Sequence, residues 1–147
     1  MAAFAALKIV VQASSRQIFN FQHSRPEQQR AAAMRRSHIS FIACNTHFLI
    51  LPRVRVEHPA SRILGRMAAR TSDDWQQMYG HPIYFLETFI DPERFRGTCY
   101  RAANWVLPGS TTGRGKQSNS CVPNRSIKEV LGYPLTKRFR ELLGRVA

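Results

Sequence analysis

The sequence predicts an α/β domain: a mixed sheet in the order strand, strand, helix, strand, helix, strand, strand, flanked by helices and incomplete at its N-terminal part. Three observations predict it. Apolar residues switch between a two-residue and a 3.6-residue period along the chain, so strands and helices alternate. The 147 residues are 44% hydrophobic, enough for one packed core and too many for a disordered chain. Helical patterns between strands require crossovers about one central sheet.

Residues 1–34 read as an N-terminal helical or remnant segment ahead of a domain at 35–147. Met1–Phe21 is Ala-rich and apolar, with Lys8 and Arg16 as its only charges. A secretory leader carries its positive charge before the apolar run, whereas Lys8 interrupts this one. The acid-free start is also that of a transit peptide, but an amphipathic helix or a remnant is the simpler reading. Ser24-Arg-Pro-Glu then opens a helix over Gln28–Arg36, with Pro26 at an early helical position.

From Ser37 the period changes. His38–Cys44 alternates as a strand, Asn45-Thr46 has turn composition, and Phe48–Val56 is a second strand, together a hairpin. Pro52 cannot donate to a ladder, so a bulge is expected there, with the strand splayed beyond it. Pro59 fits a first helical position, and Ala60, Ile63, Leu64, Met67 and Ala68 follow at helical spacing. A second helical piece after Thr71 ends at Gly80-His81-Pro82. Ile83–Ile90 is nearly all apolar, as a buried sheet centre requires. Asp91-Pro-Glu opens a helix whose apolar face presents Phe95, Cys99, Ala102 and Ala103. Val106–Thr112 is a strand, 113–126 a basic loop, Lys128–Leu135 the last strand and Lys137–Val146 a short basic helix. Trp75, Phe95 and Trp105 are expected in the core.

Charge is the strongest compositional signal. Twenty-two Lys and Arg against nine Asp and Glu give +13. Residues 1–60 carry +6, residues 61–100 are neutral and residues 101–147 carry +7. Such an excess favours a polyanionic partner, most often nucleic acid, although a solvated Arg-rich surface would look the same. The expected contacts are Arg35, Arg36, Arg53, Arg55, Arg114, Lys116 and Arg125. No apolar run approaches the roughly 18–20 residues of a membrane span, so no membrane partner is expected. The odd count of three cysteines, with no CxxC pair, argues against a disulfide framework and for the reducing cytoplasm. Cys44-Asn-Thr-His47 has ligand-like spacing but no second pair to complete a zinc site, so no metal is expected.

Longer motifs carry a resemblance. The run Arg35-Arg-Ser-His-Ile-Ser-Phe-Ile-Ala-Cys-Asn-Thr-His-Phe-Leu-Ile-Leu-Pro-Arg-Val-Arg-Val is followed by Ala60-Ser-Arg-Ile-Leu and Asp74-Trp75. Glu87-Thr-Phe-Ile-Asp, Phe95-Arg-Gly-Thr-Cys-Tyr-Arg-Ala-Ala-Asn-Trp, Gly109-Ser-Thr-Thr-Gly-Arg-Gly and Lys128–Leu135 come next. Over residues 35–143 the sequence resembles the bacterial family of the Druantia anti-phage protein DruA, which includes a transposase-associated domain of unknown function. The family favours Asn at Cys44, Arg at His47 and Leu at Pro59. The resemblance implies a place in phage defence or mobile-element biology, beside a defence-system or transposase partner protein.

The strand order also resembles the second half of the GNAT acyltransferase superfamily. That resemblance implies a coenzyme A slot between a bulged strand and its neighbour, with the pyrophosphate at a helix N-terminus. Arg55, His58, Ala60 and Arg62 would hold acetyl-CoA or another acyl-CoA. Tyr100 would protonate the leaving thiolate, and Glu87 would act as general base. Asn104-Trp105 stands where those enzymes have Gly-Phe. The residues themselves argue the other way: His58 replaces the usual glycine and Pro59 removes a backbone donor. Structural roles are also open, a helix-packing aromatic for Tyr100 and a hydrogen-bond acceptor for Glu87.

Two further constellations fall short. Gly109-Ser-Thr-Thr-Gly-Arg-Gly lacks the Gly-Lys-Ser/Thr of a P-loop at a helix start. Asp73, Asp74, Glu87, Asp91 and Glu93 show no two-metal nuclease spacing. The expected function is a basic, nucleic-acid-associated accessory domain of a phage-defence or transposon system, non-catalytic and without a cofactor. A coenzyme-A-dependent N-acyltransferase is the alternative, and a structural subunit of a defence complex is the third.

Overall fold

The apolar run ending at Ile90 forms the middle of the sheet, because a segment with so little polar alternation has to be buried on both faces. The structure, a computed structural model, describes residues 5–11, 38–50, 56–113 and 125–144. Along them lie β1 (Ala5–Val11), a 3-10 turn (Ile39–Phe41) and β2 (Ile42–Ile50). Helix α1 (Pro59–Tyr79), β3 (Phe85–Ile90) and helix α2 (Thr98–Ala102) follow, then β4 (Val106–Ser110), β5 (Glu129–Pro134) and helix α3 (Phe139–Gly144). The five strands make one sheet in the order β1-β2-β3-β5-β4. Only β2 and β3 run parallel; the other neighbours are antiparallel. This is the mixed sheet with flanking helices that the sequence predicts.

β3 divides its side chains between two cores. Leu86 and Ile90, with Ala43 of β2 and Leu131 of β5, pack with Leu64 and Ala68 of α1 and Tyr100 of α2. Ile42 and Phe85 face the other way, onto Leu143 and Phe139 of α3. Gly132 of β5 is glycine for reasons of space, since a Cβ there would run into the Phe85 ring. That ring stacks on Phe139 with centroids 5.1 Å apart.

Several local readings change. Asn45 and Thr46 make no turn; β2 runs through them, and its antiparallel neighbour is β1, within the segment read as helical or remnant. Pairing across a sheet is decided by packing with distant strands, which local turn composition does not encode. The register irregularity falls at Thr46: Lys8 pairs with His47 and Ile9 with Asn45. Pro52, where the bulge was expected, lies outside the described residues. The helical pieces on either side of Thr71 are one helix. Thr71 Oγ1 donates to the Met67 carbonyl at 2.7 Å, so its hydroxyl is satisfied without a break. The helix expected from Asp91 starts only at Thr98, because Gly97 takes a left-handed φ of 65°. Phe95 therefore falls off the helix and is exposed rather than in the core, while Trp105 is buried and Trp75 half-buried.

Candidate functional site

Where β2 and β3 part, polar side chains gather inside an otherwise apolar sheet. The parallel ladder joins Ile42–Cys44 to Phe85–Glu87. Beyond it a side chain makes the link: Thr88 Oγ1 donates to the Asn45 carbonyl at 2.9 Å. Asn45 Nδ2 in turn donates to the Tyr100 hydroxyl at 2.8 Å. All three residues are buried, and a buried phenol needs such a partner for its oxygen. The Tyr100 ring meets Trp105 edge-on at 5.1 Å and Phe48 at 6.2 Å. Burial pushes its hydroxyl up to about 12, partly offset by the Thr88 hydroxyl. The phenol thus stays protonated through the neutral range and keeps a proton to donate.

Glu87 is 0% exposed but lies on the opposite face. It alternates with Thr88 along β3 and sits in register with Cys44 of β2 and Gly132 of β5, on the Phe85 side. Burial, and secondarily the Glu87 charge, push the Cys44 thiol up to about 12, which makes it a poor nucleophile. The sheet therefore stands between Tyr100 and Glu87. The two residues that an acyltransferase would pair on one substrate do not share a face.

His58, Ala60 and Arg62 come together at the start of α1. His58 is exposed and left-handed, with φ 49° and ψ 43°, and its side chain makes no cap. Its carbonyl accepts the Arg62 N–H at 3.4 Å and the Ser61 hydroxyl at 3.2 Å, and Pro59 has no N–H. The helix start is left with the amides of Ala60 and Ser61, where a diphosphate cradle uses several consecutive donors. Arg62 is exposed.

Of the expected nucleic-acid contacts, Arg35, Arg36, Arg53, Arg55, Arg114 and Lys116 lie outside the described residues. Arg125 is exposed at the stem of the basic loop, where its N–H bonds the Gly113 carbonyl at 2.9 Å. The structure adds cations that the sequence reading did not single out. Arg66 and Arg70 continue from Arg62 at four-residue intervals along α1, all exposed, with about 6 Å of helix rise between them. That spacing inside a predicted helix is the signal that marks them. Arg70 also reaches Asp74 at 3.7 Å, both well exposed, a pair that contributes little. The roles of Asn45 and Thr88 were likewise missed, because they depend on partners distant in sequence. Among the described residues no group of His, Cys, Asp and Glu side chains is placed to hold a metal ion. No helix among them is long and apolar enough to cross a membrane.

No curated protein matches the sequence. The family profile described as Druantia protein DruA matches residues 28–128, a span holding β2, α1, β3, α2 and β4 with the polar junction between them. The chain belongs to the DruA family of Druantia proteins.

Proposed function

We propose that the chain serves a Druantia anti-phage defence system as a basic accessory domain that contacts nucleic acid and performs no catalysis of its own. Family membership supports the defence role. The observation that carries the nucleic-acid role is the net charge of +13, part of it displayed on exposed Arg62, Arg66, Arg70 and Arg125. Exposed arginine at this density repels itself unless a polyanion relieves it. Neutralising several phosphates releases counterions, so affinity for a random duplex or single strand should fall linearly with salt on logarithmic axes, at a slope of roughly 0.7–0.9 per phosphate. Titrations across a salt series measure that slope. Undetectable binding at low salt overturns the reading.

One observation favours acyl transfer as a second reading. β2 and β3 run parallel and then separate near a buried, protonated tyrosine, as the GNAT resemblance implies. Against it stand the sheet between Tyr100 and Glu87 and the few amides at the start of α1. Acetyl-CoA is expected to leave the melting temperature unchanged, whereas a ligand bound to the native state would raise it. A rise abolished by Arg55→Ala, with thiol release on an amine acceptor, would put acyl transfer first.

A further inference from the structure

Phe95 is 62% exposed, while the neighbouring rings of Tyr100 and Trp105 are buried. Its position follows from backbone chemistry. The left-handed Gly97 delays α2 to Thr98, and Asp91 folds the preceding residues into a turn. The Asp91 carbonyl accepts the N–H groups of Arg94 and Phe95 at 3.1 and 2.9 Å. Its Oδ1 accepts the Glu93 N–H at 3.2 Å. Its other oxygen, Oδ2, accepts the Ser126 hydroxyl at 3.3 Å across 35 residues of sequence. One carboxylate therefore ties the Phe95 turn to the stem of the basic loop. That stem is closed by Arg125 N–H on the Gly113 carbonyl, and by Thr111 and Lys128 bonded to each other at 2.8 Å.

Cations lie on this turn and on the loop stem tied to it, beside the carboxylates of Asp91 and Glu93. The Arg94 guanidinium stands 5.6 Å from the Phe95 centroid, a distance at which cation and ring attract. Arg94, Arg96, Arg125 and Lys128 are all exposed. A flat apolar ring with exposed cations beside it, on a turn held by four hydrogen bonds, matches an anionic chain whose links carry their own flat rings.

We propose that Phe95, with Arg94, Arg96, Arg125 and Lys128, is a stacking platform for a base of single-stranded nucleic acid. The ring takes the base face and the cations take the flanking phosphates. This rests on the nucleic-acid reading above and adds to it a strand preference, since in a duplex the base faces are already occupied by their neighbours.

Anisotropy titrations of the full chain use a labelled oligothymidylate of about 16 nucleotides, the matching oligouridylate and a mixed-sequence duplex of equal length. The DNA and RNA arms separate the two sources of the same chemistry. Phe95→Ala should weaken single-strand binding roughly five- to hundred-fold while moving duplex binding less than about two-fold. Phe95→Trp should preserve single-strand binding, and its new indole emission should be quenched by the strand. If the wild-type protein binds and Phe95→Ala leaves single-strand binding unchanged, or lowers single-strand and duplex binding equally, the platform is overturned and the nucleic-acid reading stands. If the wild-type protein binds none of the three, both fall. Phe95 is exposed, so unchanged melting temperatures confirm that the variants are folded.

Discussion

Burial of Tyr100 and Cys44 makes part of the molecule's stability sensitive to base. The Tyr100 hydroxyl is raised from 10.0 to about 12, and the Cys44 thiol from 9.0 to about 12, each chiefly by burial. In the unfolded chain both ionise earlier, so the unfolded state loses protons first as the pH rises. Stability tied to these groups is complete below pH 9 and drains away as pH climbs from there toward 12. Urea midpoints measured from pH 8 upward should fall. Cys44→Ala should blunt the early part of the fall and Tyr100→Phe the later part; midpoints flat to pH 11 would contradict both assignments. At this scale the sequence named Tyr100 and Glu87 only through the GNAT resemblance, as proton donor and general base. It could not say that they face opposite ways. That depends on the alternation of β3 and on which face α2 covers, and neither is visible in either residue's neighbours.

Elements were legible where the pattern was local. From Pro59 onward the order of strands and helices, the centrality of β3 and the start of α1 follow from periodicity and proline chemistry. The hairpin was not legible, because Asn45-Thr46 has the composition of a turn and the true partner, β1, lies more than thirty residues upstream. The start of α2 was misread for another reason: Asp91-Pro-Glu is a good helix opening, but Gly97 overrides it six residues later. Gly97 packs against the Ile90 and Leu131 side chains and holds φ at 65°, so an alanine there meets both a steric and a backbone penalty. Gly97→Ala should cost about 1–3 kcal/mol. Chemical denaturation checks this, and a cost below about 0.5 kcal/mol would show that the turn relaxes freely. The same variant should disturb Phe95, which shares that turn.

Across the whole molecule, the parallel pairing of β2 with β3 is brief. The ladder ends at Cys44 and Glu87, and past it the Thr88 hydroxyl donates to the Asn45 carbonyl. Beyond it, β2 continues alongside β1 while β3 continues alongside β5. Local openings follow such lines of weak connection. Hydrogen exchange should therefore show the β3–β5 amides as the slowest of the sheet, with Thr46–Ile50 and β1 exchanging together and sooner. Thr88→Val keeps the shape but strands the Asn45 carbonyl, at a cost of about 1–3 kcal/mol. It should speed exchange in Thr46–Ile50 without touching β5, and equal acceleration throughout would refute a preferred line of opening. The consequence is mechanical. The sheet behaves as a zip whose parallel teeth stop beside the Thr88 hydroxyl, and a partner gripping β1 and β2 would strain that end before disturbing the body that carries Phe95.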